Sequence, residues 1–147
     1  GNDAGQVTAH WVKINTSNLA SLTVADQGNV GGEDIATGAY TFFPSIAVDP
    51  CGNMALGFSA SATTIYPGAY YTGRAAADPA GTVQASGTLM AGTDWYYRAF
   101  GGTRNRWGDY SGISLDPADN EMVLFKPAEK GDEKKLLELK KWLQQIS

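Results

Sequence analysis

Cysteine, histidine and basic charge are scarce in this sequence, and each scarcity argues against a class of function. Cys51 is the only cysteine, so no disulfide can form within the chain. Because His10, the only histidine, is far away in sequence, Cys51 is interpreted as a turn residue rather than an activated nucleophile. Lysine and arginine number 11 against 15 acidic residues, which leaves no basic stripe for phosphates. We therefore expect no nucleic-acid partner.

Long hydrophobic runs and cofactor motifs are lacking too. No window approaches the roughly 18 apolar residues of a membrane-spanning helix, and the first residues lack the basic-then-apolar pattern of a signal peptide. No nucleotide-binding loop, metal-ligand cluster or catalytic motif stands out, so the sequence predicts neither a cofactor nor a metal. The length of 147 residues fits a single core rather than two full domains.

Residues 1–127 are typical of short strands separated by turns. Glycine, small residues and aromatics mix with β-branched residues in short segments, and turn signals recur between them. This regular spacing predicts an all-β antiparallel meander of the sandwich, barrel or propeller kind. The eight candidate strands are residues 9–15, 19–28, 42–49, 54–61, 69–76, 82–89, 110–116 and 121–126.

One phrase occurs twice, as "PSIAVDPCGN" and as "SGISLDPADN". The copies match at a constant offset of 67 residues, from Ile46 to Ile113, and Phe58 keeps that offset with Phe125. An offset of this size holds four strands and their loops, which is one four-stranded blade of a propeller. In each copy the Asp-Pro-x-x-Asn segment is expected to close a hairpin, with a calcium loop as the alternative.

The repeat predicts the last two strands of one blade, one whole blade and the first two strands of a third. Propellers close with about four to eight blades, so two blades' worth of strands leaves sheet edges that can pair with another chain. We therefore expect a homo-oligomer, with a trimer of six blades favoured. A monomer that brings its own half-blades together is the alternative.

Composition changes sharply after Pro127, and residues 128–147 are dominated by Lys, Glu and Leu. These residues favour a helix, and Asp132 stands where an N-cap belongs. Apolar side chains recur at steps of three and four, which predicts an amphipathic C-terminal α-helix with one buried face. The helix either docks on its own domain or pairs with another chain, and a membrane surface is a weaker alternative. The apolar face consists of Leu136, Leu139, Leu143 and Ile146.

The blade topology also predicts which loops lie together. The loops of residues 31–42, 63–71 and 92–110 should share one end of the blades, opposite the Asp-Pro hairpins. Aromatic side chains with flanking charges suit a saccharide or peptide ligand, because aromatics supply contact area at low entropy cost. The alternative is structural, with Trp107 and Tyr110 packed between blades and Arg106 paired with Asp109 to shape the loop. The predicted ligand-binding residues are Tyr66, Tyr70, Trp95, Tyr96, Arg98, Arg106, Trp107 and Asp109.

Two segments, "YTFFPSIAVDPCGNMALGFSASATTIYPGAYYTGR" and "RWGDYSGISLDP", resemble bacterial proteins with sialidase-like, BNR-type repeat propellers. The likeness covers roughly residues 8–125 and implies a propeller fold in a secreted or cell-surface protein. The sialidase Asp-box is not reproduced, since Ala47 and Cys51 flank Asp49 where that motif has Ser or Thr and Gly. The arginine triad of sialidases is not assignable. Residues 128–147 have no counterpart and are interpreted as a fused, designed or out-of-family extension.

These observations favour a non-catalytic binding or assembly module, with a glycan as the candidate ligand. The alternative is a glycoside hydrolase of sialidase-like type. Its carboxylates would have to come from Asp34, Asp94 or Asp109, because such hydrolysis needs a pair of them.

Overall fold

The structure is a computed structural model that describes residues 2–3, 5–99, 101–105, 107, 111–116 and 122–125. All helical or strand structure in these ranges is β-strand, and every pairing between strands is antiparallel, which confirms the predicted all-β antiparallel class. The predicted helix of residues 128–147, with Leu136, Leu139, Leu143 and Ile146, lies outside the described residues. The strands are β1 (Asn2–Asp3), β2 (Gln6–Val7), β3 (Ala9–Asn15), β4 (Thr23–Val30), β5 (Tyr40–Val48), β6 (Met54–Ala62), β7 (Ile65–Arg74), β8 (Gly87–Met90), β9 (Gly112–Leu115) and β10 (Met122–Phe125).

The strands form one four-stranded sheet and three two-stranded sheets. The central sheet has the order β5-β6-β7-β8, while β3 pairs with β4 and β9 pairs with β10. The eight predicted strands overlap β3 to β10 one for one, and this grouping into two, four and two strands is the one that the 67-residue repeat predicts. The short β1–β2 pair was not predicted.

The central sheet is covered on both faces. One face carries Leu56 and Phe58, which form a core with Trp11 and Val30 of the β3–β4 sheet. The opposite face carries Ala55, against which the β9 residues Ile113 and Leu115 pack. Successive residues of a strand point to opposite faces, so a strand with both faces covered has no exposed side. Accordingly, β6 is buried at seven consecutive residues, from Met54 to Ala60.

Strand β5 forms one edge of the central sheet and contains Pro44 at an irregularity. The register with β6 shifts between Phe42 and Ser45, and Phe43 has a φ of 50°. Proline lacks an N–H, so a bulge on an edge strand is where a sheet tolerates it. The bulge also holds the start of β9, because the Ser45 Oγ donates to the Ser111 carbonyl (3.1 Å) and the Ser111 Oγ donates to the Phe43 carbonyl (3.0 Å).

The first Asp-Pro segment closes the β5–β6 hairpin as predicted. The Asp49 carboxylate accepts hydrogen bonds from the backbone N and the side-chain Nδ2 of Asn53, both at 2.8 Å. The Asn53 Oδ1 in turn accepts from the Ala76 N at 3.0 Å. These side-chain oxygens therefore accept protein N–H donors and build a turn.

The second hairpin does not keep the 67-residue offset. Leu124 pairs with Ile113, as Leu56 pairs with Ile46, so β10 follows β6 at an offset of 68 residues. The expected equivalence of Phe58 and Phe125 is therefore wrong in register. The physical reason is that the second connection holds one more residue, and a one-residue shift exchanges the two faces of a strand.

Candidate functional site

The start of β7 and the segment after β8 lie together at one end of the central sheet, which we call the aromatic end. Because the strands alternate in direction, β5 begins, β6 turns into β7, and β8 finishes at this end. A Cβ added at Gly92 would lie 2.7 Å from the Cβ of Tyr66, so the segment that follows β8 passes directly against Tyr66. This contact joins the predicted loops 63–71 and 92–110, and the ring contact of Phe42 with Trp107 brings loop 31–42 against loop 92–110 as well.

Two large aromatic side chains in this segment point into solvent. Trp95 is 71% exposed and Tyr97 is 65% exposed, and the half-exposed Tyr66 lies beside the start of the segment. We call Tyr66, Trp95 and Tyr97 the aromatic surface. Arg98 follows Tyr97 directly and is exposed as well. Tyr97 was missed by the sequence prediction, and only its exposure distinguishes it from the inward-facing Tyr96.

Tyr96 and Trp107 anchor this segment from behind. Their rings meet edge to face at 4.9 Å between centroids, and Trp107 makes a similar contact with Phe42 at 6.5 Å. The Trp107 Nε1 donates to the Ser59 Oγ at 3.0 Å, which fixes the indole over the end of β6. A half-buried aromatic with its polar atom bonded is a packing element. Trp107 and Tyr96 therefore hold the neighbouring exposed residues in position, and they do not themselves belong to the exposed surface.

The side chain of Asn105 supports the same segment by hydrogen bonding to the backbone of that segment. Its Nδ2 donates to the Tyr96 carbonyl at 2.8 Å, and its Oδ1 accepts from the Arg98 N at 2.6 Å. The amide thus bridges the two residues that flank Tyr97. No sequence signal marked Asn105, because its partners lie seven and nine residues away with no motif between them.

The remaining predicted ligand-binding residues have other positions. Tyr70 is a core residue that is 5% exposed, and its ring stacks on Phe58 with 6.2 Å between centroids. Burial raises the pKa of the Tyr70 phenol above its ordinary value of 10.0. Tyr70 therefore does not belong to the aromatic surface. Arg106 and Asp109 lie outside the described residues.

A cleft of about 370 Å³ lies between the loop after β4 and the segment before β8. Two carboxylates at its wall accept hydrogen bonds from the protein itself. The Asp34 carboxylate accepts from the Ser86 N at 2.6 Å, and the Glu33 Oε1 accepts from the Gln6 Nε2 at 3.0 Å. These bonds connect the loop after β4 to Ser86 and Gln6, so the two carboxylates hold that loop in place.

The opposite end of the central sheet holds a polar network. Arg74 and Asp26 form an ion pair there, and the Arg74 Nη2 donates to the Asp78 carbonyl at 2.8 Å. The Asp78 carboxylate accepts from the Gln84 Nε2 at 3.0 Å and from the Ala75 N at 2.9 Å. These two hydrogen bonds, with the nearby Arg74 charge, hold the pKa of Asp78 below its usual range.

The described residues hold no cluster of the kind that binds a metal ion. Asp94 accepts a 2.7 Å hydrogen bond from the Trp95 N, and Asp34 is bonded to Ser86. Within the described ranges, no three residues among His, Cys, Asp and Glu gather as metal ligands would. Nor does this part of the chain hold a helix of the length and hydropathy that a membrane span requires.

Comparisons of the chain with protein families, with curated proteins and with solved structures find no match.

Proposed function

We propose that this chain is a non-catalytic binding module built from propeller-like blades, and that its aromatic surface binds a saccharide. The observation that carries the proposal is the exposure of Trp95 and Tyr97 on a segment that is braced from behind. Large aromatics in solvent forgo the stabilisation that burial would give, unless a ligand covers them. A flat, rigid aromatic with a neighbouring cation suits a sugar ring, since the ring stacks and its hydroxyls find polar partners.

The supports behind the surface strengthen this proposal. Binding surfaces work best when their side chains are held in place before the ligand arrives, because less entropy is then lost on binding. Asn105 and Trp107 supply that support through a backbone bridge and a packed ring. Arg98 follows Tyr97 and is exposed, so its guanidinium is placed to orient a hydroxyl or a carboxylate of the ligand.

A glycan array followed by titration calorimetry tests the proposal. The double variant Trp95→Ala/Tyr97→Ala should lower the affinity for an array hit by about tenfold or more, since stacking aromatics commonly contribute more than about 1 kcal/mol each. Leu19→Ala is the matched control, because Leu19 is 80% exposed on the turn between β3 and β4. An array without hits, or binding that survives the double variant, would overturn the proposal.

A sialidase-like glycoside hydrolase remains the second candidate, because a bound sugar could also be a substrate. Of the three candidate catalytic carboxylates, Asp34 accepts a hydrogen bond from the Ser86 N and Asp94 accepts one from the Trp95 N. Turnover of fluorogenic glycosides that disappears in Asp109→Asn would favour the hydrolase. Binding without turnover favours the non-catalytic module.

We also propose that several copies of the chain close a propeller-like ring, with three copies favoured. The stacked arrangement of two, four and two strands supports this, because both faces of the central sheet are covered as in neighbouring blades. The apolar face of the predicted C-terminal helix, with Leu136, Leu139, Leu143 and Ile146, would contribute contacts between the copies. Light scattering gives the mass directly, and a stable monomer at every concentration would exclude the ring.

A further inference from the structure

The two flanking sheets are complementary halves of the central sheet. The β9–β10 sheet repeats β5–β6, since Leu124 pairs with Ile113 as Leu56 pairs with Ile46. The sequences agree at that register, because "MVL" of β10 corresponds to "MAL" of β6. The chain therefore carries a second copy of the first two strands after the central sheet.

The β3–β4 sheet repeats β7–β8 through a pair of residues that sequence reasoning did not find. Trp11 on β3 lies opposite Gly28 on β4, and Tyr71 on β7 lies opposite Gly87 on β8. A Cβ at Gly28 would lie 2.9 Å from the Trp11 indole, and a Cβ at Gly87 would collide with the Tyr71 ring. In both sheets the aromatic ring covers a cross-strand glycine, which protects the exposed backbone.

The two aromatic residues also face the same way along the stack of sheets. Trp11 contributes to the core between β3–β4 and the central sheet, whereas Tyr71 packs in the core between the central sheet and β9. Each ring thus faces the sheet that follows in the chain. The β3–β4 sheet therefore has the position of a third and fourth strand, and among the described residues no first and second strand pairs with it.

The complementary halves cannot meet within one chain. The β3–β4 sheet covers the Leu56 and Phe58 face of the central sheet, and β9 covers the opposite face through Ala55. Among the described residues, β3 pairs with β4 alone and β10 pairs with β9 alone. Each half therefore offers an open strand edge, and such edges pair with other chains when nothing blocks them.

We propose that β10 of one copy pairs antiparallel with β3 of a second copy, which completes a four-stranded sheet between the two chains. This inference rests on the ring assembly proposed above and names its interface. The β6–β7 ladder within the chain supplies the register, since Leu56 pairs with Thr72 and Met54 with Arg74. By that template, Leu124 pairs with Val12 of the partner subunit, and Met122 pairs with Ile14 of the partner subunit.

The exposed side chains of β3 fit this arrangement. Val12 and Ile14 are 44% and 45% exposed, and Val24 stands opposite Ile14 on the same outer face. In the completed stack this apolar face would lie over the partner's central sheet, whose Tyr71 and Leu89 are only half-buried. The docking would cover both sets of apolar side chains together, which is what stable interfaces between copies do.

Disulfide trapping between two single-cysteine chains tests the pairing. One chain carries Val12→Cys, the other carries Leu124→Cys, and Cys51→Ser removes the exposed native thiol from both. Only a bond between copies can form in the mixture. Directly opposed residues fall within the Cα separation that a disulfide requires, so oxidation should give at least about tenfold more linked dimer than the control. The control pairs Lys13→Cys with Leu124→Cys, whose side chains would lie on opposite faces.

The outcomes separate this inference from the ring itself. Ile14→Cys with Met122→Cys provides a second trapping pair in case the first disturbs folding. Linked dimer from either opposed pair, with little from the control, supports the interface. Equal linkage in control and opposed pairs, or none in a sample that light scattering shows to be oligomeric, would overturn the edge pairing while leaving the ring. A monomer at every concentration would overturn both.

Discussion

The guanidinium of Arg74 lies 3.3 Å from the carboxylate of Asp26, so an ion pair joins β7 of the central sheet to β4 of the flanking sheet. The two side chains are only 11% and 12% exposed, and the Arg74 guanidinium also lies over the Trp11 ring at 5.9 Å from its centroid. The Asp26 Oδ1 accepts a further hydrogen bond from the Gly81 N at 2.9 Å. The pair thus fixes the stacking of two sheets that share no strand ladder.

Removing one charge of this pair should destabilise the fold strongly. Asp26→Asn keeps the shape but removes the direct ion-pair partner of the largely buried guanidinium, and we expect a loss of about 3 kcal/mol in the free energy of unfolding. Urea denaturation measures it. Asp34→Asn is the control, since Asp34 is exposed and its carboxylate accepts hydrogen bonds from Ser86 with no ion pair, and it should lose no more than about 1 kcal/mol. Similar losses in both variants would contradict the central role of the pair.

Gly28 should tolerate no side chain. A Cβ there would lie 2.5 Å from the Gly81 carbonyl oxygen and 2.9 Å from the Trp11 ring, and a backbone oxygen cannot simply rotate away. Gly28→Ala is therefore expected to lower the unfolding free energy by about 1–3 kcal/mol, as overpacking does.

Gly31 provides the matched comparison for Gly28 because a Cβ there meets no atom within 4 Å. Gly31→Ala should be neutral, or more stable by up to about 1 kcal/mol through reduced entropy of the unfolded chain. Thermal or urea unfolding of both variants gives the comparison. Equal stability of the two alanine variants would show that the aromatic-over-glycine packing is not tight.

Much of the strand pattern is predictable from sequence because its causes are local. Strand residues alternate with turn residues over a few positions, and the Asp49–Asn53 turn is built from side chains four residues apart. The pairing of Trp11 with Gly28 and of Arg74 with Asp26 joins residues that are distant in sequence. No local pattern specifies such contacts.

The exposure of the aromatic residues at the candidate site is likewise not predictable from local sequence. Tyr66 and Tyr70 belong to one strand, yet one is half-exposed and the other is buried against Phe58. The difference depends on what covers each position, which the residue type does not determine. Likewise, Tyr96 and Tyr97 are adjacent and chemically identical, and only the Trp107 ring behind Tyr96 separates the anchor from the exposed residue.

Trp107 and Trp95 should respond oppositely to substitution. Trp107→Ala removes the Ser59 hydrogen bond and the ring contacts with Phe42 and Tyr96, so we expect a stability loss of about 2 kcal/mol or more. Trp95→Ala removes a side chain that is mostly in solvent and should change stability by less than about 0.5 kcal/mol. Calorimetric unfolding compares the two. A larger loss for Trp95→Ala would mean that Trp95 packs against the protein.

Acid should weaken the network around Asp78 in a defined direction. The Asp78 carboxyl has a lower pKa in the folded protein than its ordinary value of 3.8, so the folded state binds its proton less readily than the unfolded state. The resulting stabilisation is present above pH 3.8 and is lost as the pH falls through the lowered pKa of the folded state.

Thermal unfolding followed from about pH 6 to about pH 2 tests this acid dependence. Asp78→Asn should be less stable than the wild type near neutral pH, and the difference should shrink in acid because both side chains are then uncharged. Gln84→Leu is a useful second variant, since it removes the largest cause of the pKa shift while leaving the carboxyl in place. A difference between wild type and Asp78→Asn that stays constant across this range would contradict the assignment.

Every strand ladder in the described part of the chain joins strands that are neighbours in sequence, and residues 40–90 hold the whole central sheet in one continuous stretch. The loop-closure entropy of each ladder is therefore small, and each hairpin can nucleate the next without waiting for a distant segment to arrive. The proposed joining of two copies would instead be a bimolecular event whose rate depends on protein concentration. Refolding should accordingly begin with a phase that is independent of concentration and finish with one that accelerates as the protein becomes more concentrated.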